Sequence, residues 1–171
     1  MNKKGMTLIE TLIYVAIVSG MLLTFSSFML SISDSRNKTY VVSEVQANTR
    51  NAFVTLKQKI HEAKSIDINN SVFDTDPCIL SLEMSDPLKN PTIISLTADN
   101  GSLQIQEGVG AGENITTGEV SVEEFMCKKI NPTGKRSNVQ IFLTVSYNMD
   151  AEGAIFDYSQ SLETAFSVRG K

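Results

Sequence analysis

The chain has 171 residues, a net charge of −4 from 15 basic and 19 acidic side chains, and an apolar fraction of 42%. That length suits one domain plus an appended helix, and the acidic balance leaves no electrostatic footprint for a nucleic acid. The aliphatic residues crowd into the first thirty positions, and the remaining sequence is rich in Ser, Thr and Asn and has no tryptophan. An exported or surface-exposed body fits that profile better than a large-cored cytosolic enzyme.

The first element is apolar. Nineteen residues from Leu12 to Leu30 carry no charge, about the length a helix needs to cross the hydrocarbon core. A secretory signal has a shorter apolar core ending in a small-residue cleavage site. Here Val18-Ser19-Gly20 is followed at once by more apolar residues, so a retained membrane helix is expected. Lys3 and Lys4 precede it and place that end in the cytoplasm, so the rest of the chain is extracytoplasmic. Glu10 is the anomaly. An ionised carboxylate costs on the order of 2.5–3.5 kcal/mol at the bilayer centre and less near a helix end, so it calls for a partner.

From Tyr40 onward, Val41, Val45, Ala52, Leu56, Ile60 and Ala63 recur with the helical period. No proline occurs before Pro77. One helix is therefore expected from Thr7 to Lys64, roughly 85 Å at 1.5 Å per residue. It should be apolar all round in its first half and amphipathic in its second, with residues 31–38 free to fray or bend. Tyr40 and Phe53 are core candidates on this element.

Beyond Lys64 the period changes. Asp67, Asn69, Asn70, Asp74, Asp76 and Pro77 mark a loop. Strand-like runs come next, at 78–84, 92–97, 102–107, 120–127, 138–149 and 155–169. In the fifth, Val139, Ile141, Leu143, Val145 and Tyr147 alternate with Gln140, Phe142, Thr144 and Ser146; in the last, Phe156, Tyr158, Leu162, Phe166 and Val168 share one parity. Such alternation suits an antiparallel sheet with one covered face. Asp99-Asn100-Gly101 and Asp150–Gly153 carry hairpin signals. The expected fold class is α+β: a long N-terminal helix packed on one antiparallel meander of six strands. The expected segments are a leader at 1–5, a membrane or filament-core helix at 6–32, its amphipathic continuation at 33–65, and an extracytoplasmic β-rich body at 66–171.

The opening Lys3-Lys4-Gly5-Met6-Thr7-Leu8-Ile9-Glu10, followed by a long apolar helix, resembles the N-terminal signal of the type IV pilin superfamily, which includes pilus subunits and the pseudopilins of type II secretion. The ending SLETAFSVRGK and the layout more weakly resemble W-type minor pilins and J-type pseudopilins. The resemblance implies cleavage by a prepilin peptidase between Gly5 and Met6, and N-methylation of Met6, where the family usually has phenylalanine. It implies that Glu10, the fifth residue after the cut, sets assembly register. Cutting there leaves a cationic amine at the depth of Glu10. Pairing that amine on one subunit with Glu10 on the next offsets the burial cost and fixes axial register. The implied product is a non-enzymatic structural subunit without cofactor. Its partners are the peptidase, other pilins met through the helix, and an assembly platform in the inner membrane, and it ends in a filament or filament tip at the cell surface or in the periplasm. The absence of a helix-kinking proline favours a minor subunit. The competing expectation is an uncleaved, membrane-tethered adhesin or binding module, which needs neither the cut nor Glu10.

Other features are weaker. Cys78 and Cys127, the only cysteines, each bound a strand-like run; they are a candidate disulfide or a pair of buried thiols. The glycine-rich 107–114 lacks the lysine and hydroxyl of a phosphate loop. Asp67, Asp74, Asp76 and Asp86 lack calcium-loop spacing. His61 is the single histidine and offers no zinc or triad partner set.

Overall fold

The computed structural model of the chain describes residues 7–98, 101–130, 138–148 and 157–168. Helix α1 runs Leu8–Glu62, 55 residues in one element. The polar stretch at 31–38 stays helical. The helix divides between two compact units, residues 1–39 and residues 40–171.

In the first unit the helix has no buried side chain among its described residues, and its large apolar groups, from Leu8 to Leu30, are half or more exposed. It satisfies its own backbone, which is the property a hydrocarbon environment demands. Among the described residues this is the helix long and apolar enough to cross a membrane.

The second unit holds the rest of α1 and eight strands: β1 (Ser65–Ile66), β2 (Leu80–Glu83), β3 (Thr92–Leu96), β4 (Leu103–Glu107), β5 (Glu113–Asn114), β6 (Val120–Ile130), β7 (Asn138–Tyr147) and β8 (Ser159–Ser167). Every pairing is antiparallel and every neighbour is sequential. They form two sheets, however: a five-stranded β1–β5 and a three-stranded β6–β7–β8. The single six-stranded meander is thus corrected to two. The ladder breaks at 115–119, where polar side chains replace strand partners: the Thr116 hydroxyl accepts from the Leu103 amide (3.0 Å) and Asn48 Oδ1 accepts from the Thr117 amide (2.9 Å).

All six residues of the helical stripe, Val41, Val45, Ala52, Leu56, Ile60 and Ala63, are buried. Five of them, from Val45 to Ala63, pack in one core with Leu80, Leu82, Ile94, Leu103, Phe125 and Leu143, among others. In β7 burial alternates, with Val139, Ile141, Leu143 and Val145 inside. Phe166 and Val168 close the core from the C-terminal side, and Phe53 is half-buried against Phe166 at 5.4 Å between centroids. Tyr40 departs from its expected core role. It is half exposed and meets Tyr147 edge-on at 6.4 Å. Of the two hairpin signals, Gly101 has φ +58° and the amide of Thr97 donates to the carbonyl of Ser102; Asp99, Asn100 and 150–153 lie outside the described residues.

Candidate functional site

The N-terminal end of α1 starts at Thr7, whose carbonyl accepts from the amides of Glu10 (3.1 Å) and Thr11 (3.2 Å). The Thr11 hydroxyl donates to the Leu8 carbonyl (2.8 Å). Thr7-Leu8-Ile9-Glu10 therefore has the spacing of a capping box, threonine before the first turn and an acid three residues on. An acid in the first turn also complements the helix dipole. Glu10 is exposed, and no charged residue follows it until Asp34. Gly5 and Met6, the expected cleavage pair and methylated terminus, lie outside the described residues.

Cys78 and Cys127 are joined by a disulfide, Cα–Cα 5.8 Å, with both residues fully buried. The bridge fastens the start of β2 to β6. Around it the Cys78 amide donates to the Phe125 carbonyl (2.8 Å), the Asp74 amide to the Cys127 carbonyl (2.9 Å), and the Phe125 amide to Asp76 Oδ1 (3.0 Å). Strand β6 thus has its outer edge covered by the 74–78 loop. Of the aspartates at 67, 74, 76 and 86, three have carboxylates that bond to nearby chain, Asp76 as above. Asp67 accepts from the Asn69 and Asn70 amides and from the Asn70 side chain, which holds its carboxyl below the usual range. Asp86 caps the short helix at Pro87–Lys89. Among the described residues no group of three or more His, Cys, Asp or Glu converges as a metal site.

Two polar clusters in the second unit were not legible from sequence. One is a cavity of about 710 Å³ between α1 and the β4–β5 connection. On its wall Lys59 Nζ donates to Glu107 Oε1 (2.6 Å) and Lys89 lies 3.7 Å from Glu107 Oε2. The Lys59 hydrogen bond, with the positive charge of both lysines, holds the Glu107 carboxyl below its ordinary range against some desolvation. The turn after Glu107 needs Gly108, because φ is +56° and a Cβ there would strike the Leu88 carbonyl. Lys59 and Glu107 are 48 positions apart, and no motif links them.

The second cluster begins the packed half of the helix. The Tyr40 hydroxyl donates to Glu119 Oε2 (2.6 Å), and this bond, with the acids nearby, pushes its pKa up to about 12. Glu44 Oε1 accepts from the side-chain Nδ2 of Asn48 (2.8 Å) and the Thr117 hydroxyl (3.3 Å). Burial, then Glu119 and Glu44, raises the Tyr147 phenol. The one sequence signal was the step of seven between Val45 and Ala52, where the stripe skips its expected apolar residue and Asn48 and Thr49 sit buried.

No protein-family model matches the chain, and neither does any curated protein or solved structure. The arrangement of elements, a long N-terminal apolar helix followed by antiparallel sheets in an α+β fold, is pilin-like.

Proposed function

We propose that this chain is a structural subunit of the type IV pilin kind, a minor pilin or pseudopilin cut between Gly5 and Met6, methylated at Met6 and assembled through its apolar helix. The observation that carries the reading is the run from Lys3 to Glu10 leading directly into a helix uncharged until Asp34. Glycine, spacing and glutamate occur together, and a tether requires none of them. The pilin-like α+β arrangement supports the reading independently of the motif.

The mechanism is assembly rather than catalysis. Helices bundle in a low-dielectric core, where an amine on one subunit is the natural counter-charge for Glu10 on its neighbour. The pairing sets axial register. The β-rich body faces outward. Prepilin peptidase, other pilins and an inner-membrane assembly platform are the partners this requires. No cofactor is needed.

Intact mass of the membrane-extracted protein, wild type beside Gly5→Ala, tests the proposal. The wild type should lack Met1–Gly5 and carry one added methyl, and the variant should remain full length. A full-length wild type from cells with an active prepilin peptidase would overturn assembly and favour a tethered binding module.

A further inference from the structure

The edges of the two sheets are not treated alike. At the outer edges of the five-stranded sheet, β1 and β5 are two residues long. The outer edge of β6 is covered by the 74–78 loop and by Gly101, whose carbonyl accepts from the Val122 amide (2.8 Å). The outer edge of β8 is different. It is nine residues long, contains no proline or lysine, and pairs with β7 in unbroken register from Ser146↔Ser159 to Asn138↔Ser167.

The ladder shows which backbone groups that edge offers. The Tyr147 amide donates to the Tyr158 carbonyl (3.3 Å). Bonded pairs alternate in an antiparallel ladder, so 160, 162, 164 and 166 turn their N–H and C=O toward β7. Ser159, Ser161, Glu163, Ala165 and Ser167 turn theirs away from it. Among the described residues no strand or backbone hydrogen bond meets that row. Four of the five are exposed and Ser167 is half-buried. Natural proteins shorten, bend, charge or cover such edges, because an open row of donors and acceptors recruits a strand. Among the described residues three edges are shortened or covered, and nothing covers this one.

Glu163 decides what the edge accepts. It stands at the middle of β8, on the solvent face, with Oε1 accepting from the side-chain Nε2 of Gln140 in β7. A second copy adding its own β8 in full antiparallel overlap would set Glu163 opposite Glu163, and directly opposed like charges destabilise a sheet. The same carboxylate favours a strand with a cation at that place.

We propose that the β8 edge is a strand-addition site for another protein, taking an extended segment with Lys or Arg opposite Glu163. Main-chain hydrogen bonds supply affinity and the central charge supplies selectivity. The inference does not depend on cleavage at Gly5.

Amide hydrogen exchange on the full chain in detergent micelles tests this with two probes: a nine-residue peptide of alternating threonine and valine with a central lysine, and its central-glutamate counterpart. In the free chain Ser161, Glu163 and Ala165 amides should exchange at least tenfold faster than those of Leu162 and Thr164. The lysine peptide should slow the outward amides tenfold or more, the glutamate peptide several-fold less, and Glu163→Lys should reverse that preference. Outward amides already protected in the dilute free chain would show the edge to be covered. Protection that grows with protein concentration alone would make the occupant a second copy. Equal response to both peptides, or none to either, would remove the role of Glu163 or of the edge. Each of these last three results overturns the proposal.

Discussion

Residues 8–39 and 40–62 belong to one helix and obtain their stability from different sources. The first stretch has no buried side chain among its described residues and no charge between Thr11 and Ser33. The second buries Val41, Val45, Ala52, Leu56 and Ile60, each 1% exposed or less. Intrinsic propensity differs little between them, and most helix stability in water comes from packing an amphipathic face. The second stretch is therefore a helix because of the sheets. The first must be a helix by its own backbone bonds, a condition most stringent in hydrocarbon. Mutations and solvent should separate the two.

The largest separation comes from the bridge between Cys78 and Cys127, which spans 49 positions of the second unit. In the chain-entropy model a loop of that size contributes roughly 4 kcal/mol. Cys78→Ala with Cys127→Ala should lower the denaturant-extrapolated stability of the body by that order and leave the micelle-bound helicity of residues 8–39 unchanged. A loss below about 0.5 kcal/mol would mean that hydrogen bonds around the bridge, such as Phe125 to Asp76, suffice alone.

Next is a matched pair of truncations. Leu56→Ala removes a core side chain and should cost about 3 kcal/mol. Leu22→Ala, at a position 61% exposed, should leave the body within about 0.5 kcal/mol of wild type. Thermal unfolding followed by circular dichroism reads both. Equal effects would erase the distinction between the halves.

Asn48→Ala should cost about 1–2 kcal/mol, since it leaves the Thr117 amide without its acceptor. Asn48→Asp, which retains an oxygen but adds charge beside Glu44, should recover only part of it. Full recovery would show that the neighbouring acid is no obstacle.

This polar interruption also shows what sequence can and cannot convey. The stripe was readable because a 3.6-residue period is a property of consecutive residues, and so was the parity of β7. The division into two sheets was not. A period of two states which face is covered and says nothing about which strand lies alongside. Nothing in Thr116 and Thr117 announces that they end a ladder by bonding Leu103 and Asn48. Strands as short as β1 and β5 carry no periodicity at all. The cysteine pairing stayed open for the same reason, and Lys59 with Glu107 is a meeting that only the tertiary fold arranges. At the N-terminus Gly5, Met6 and Glu10 carry a resemblance in consecutive residues, with Gly5 and Met6 outside the described residues, and Thr7 to Glu10 has the spacing of a capping box.

The smallest effect, and the one with a sign, is the ion pair. Glu107 is held below the ordinary carboxylate range by Lys59 first. A folded-state pKa lower than the unfolded one stabilises the fold fully above the unfolded value, near 4.3 for glutamate, and the contribution fades as pH falls through the folded value. Glu107 is about one-third exposed, so screening limits the pair to roughly 1 kcal/mol or less. Lys59→Met keeps most of the side-chain packing and removes the charge. Its stability deficit against wild type should be largest near pH 7 and shrink toward zero as pH falls below 4. Residues 11–33 contain no acid, lysine, arginine or histidine, so their helicity in micelles should stay flat over the same interval. A deficit that held constant down to pH 3 would mean that Lys59 contributes independently of the Glu107 charge. The contrast between a titrating body and an untitrating helix would then rest on other groups than this pair.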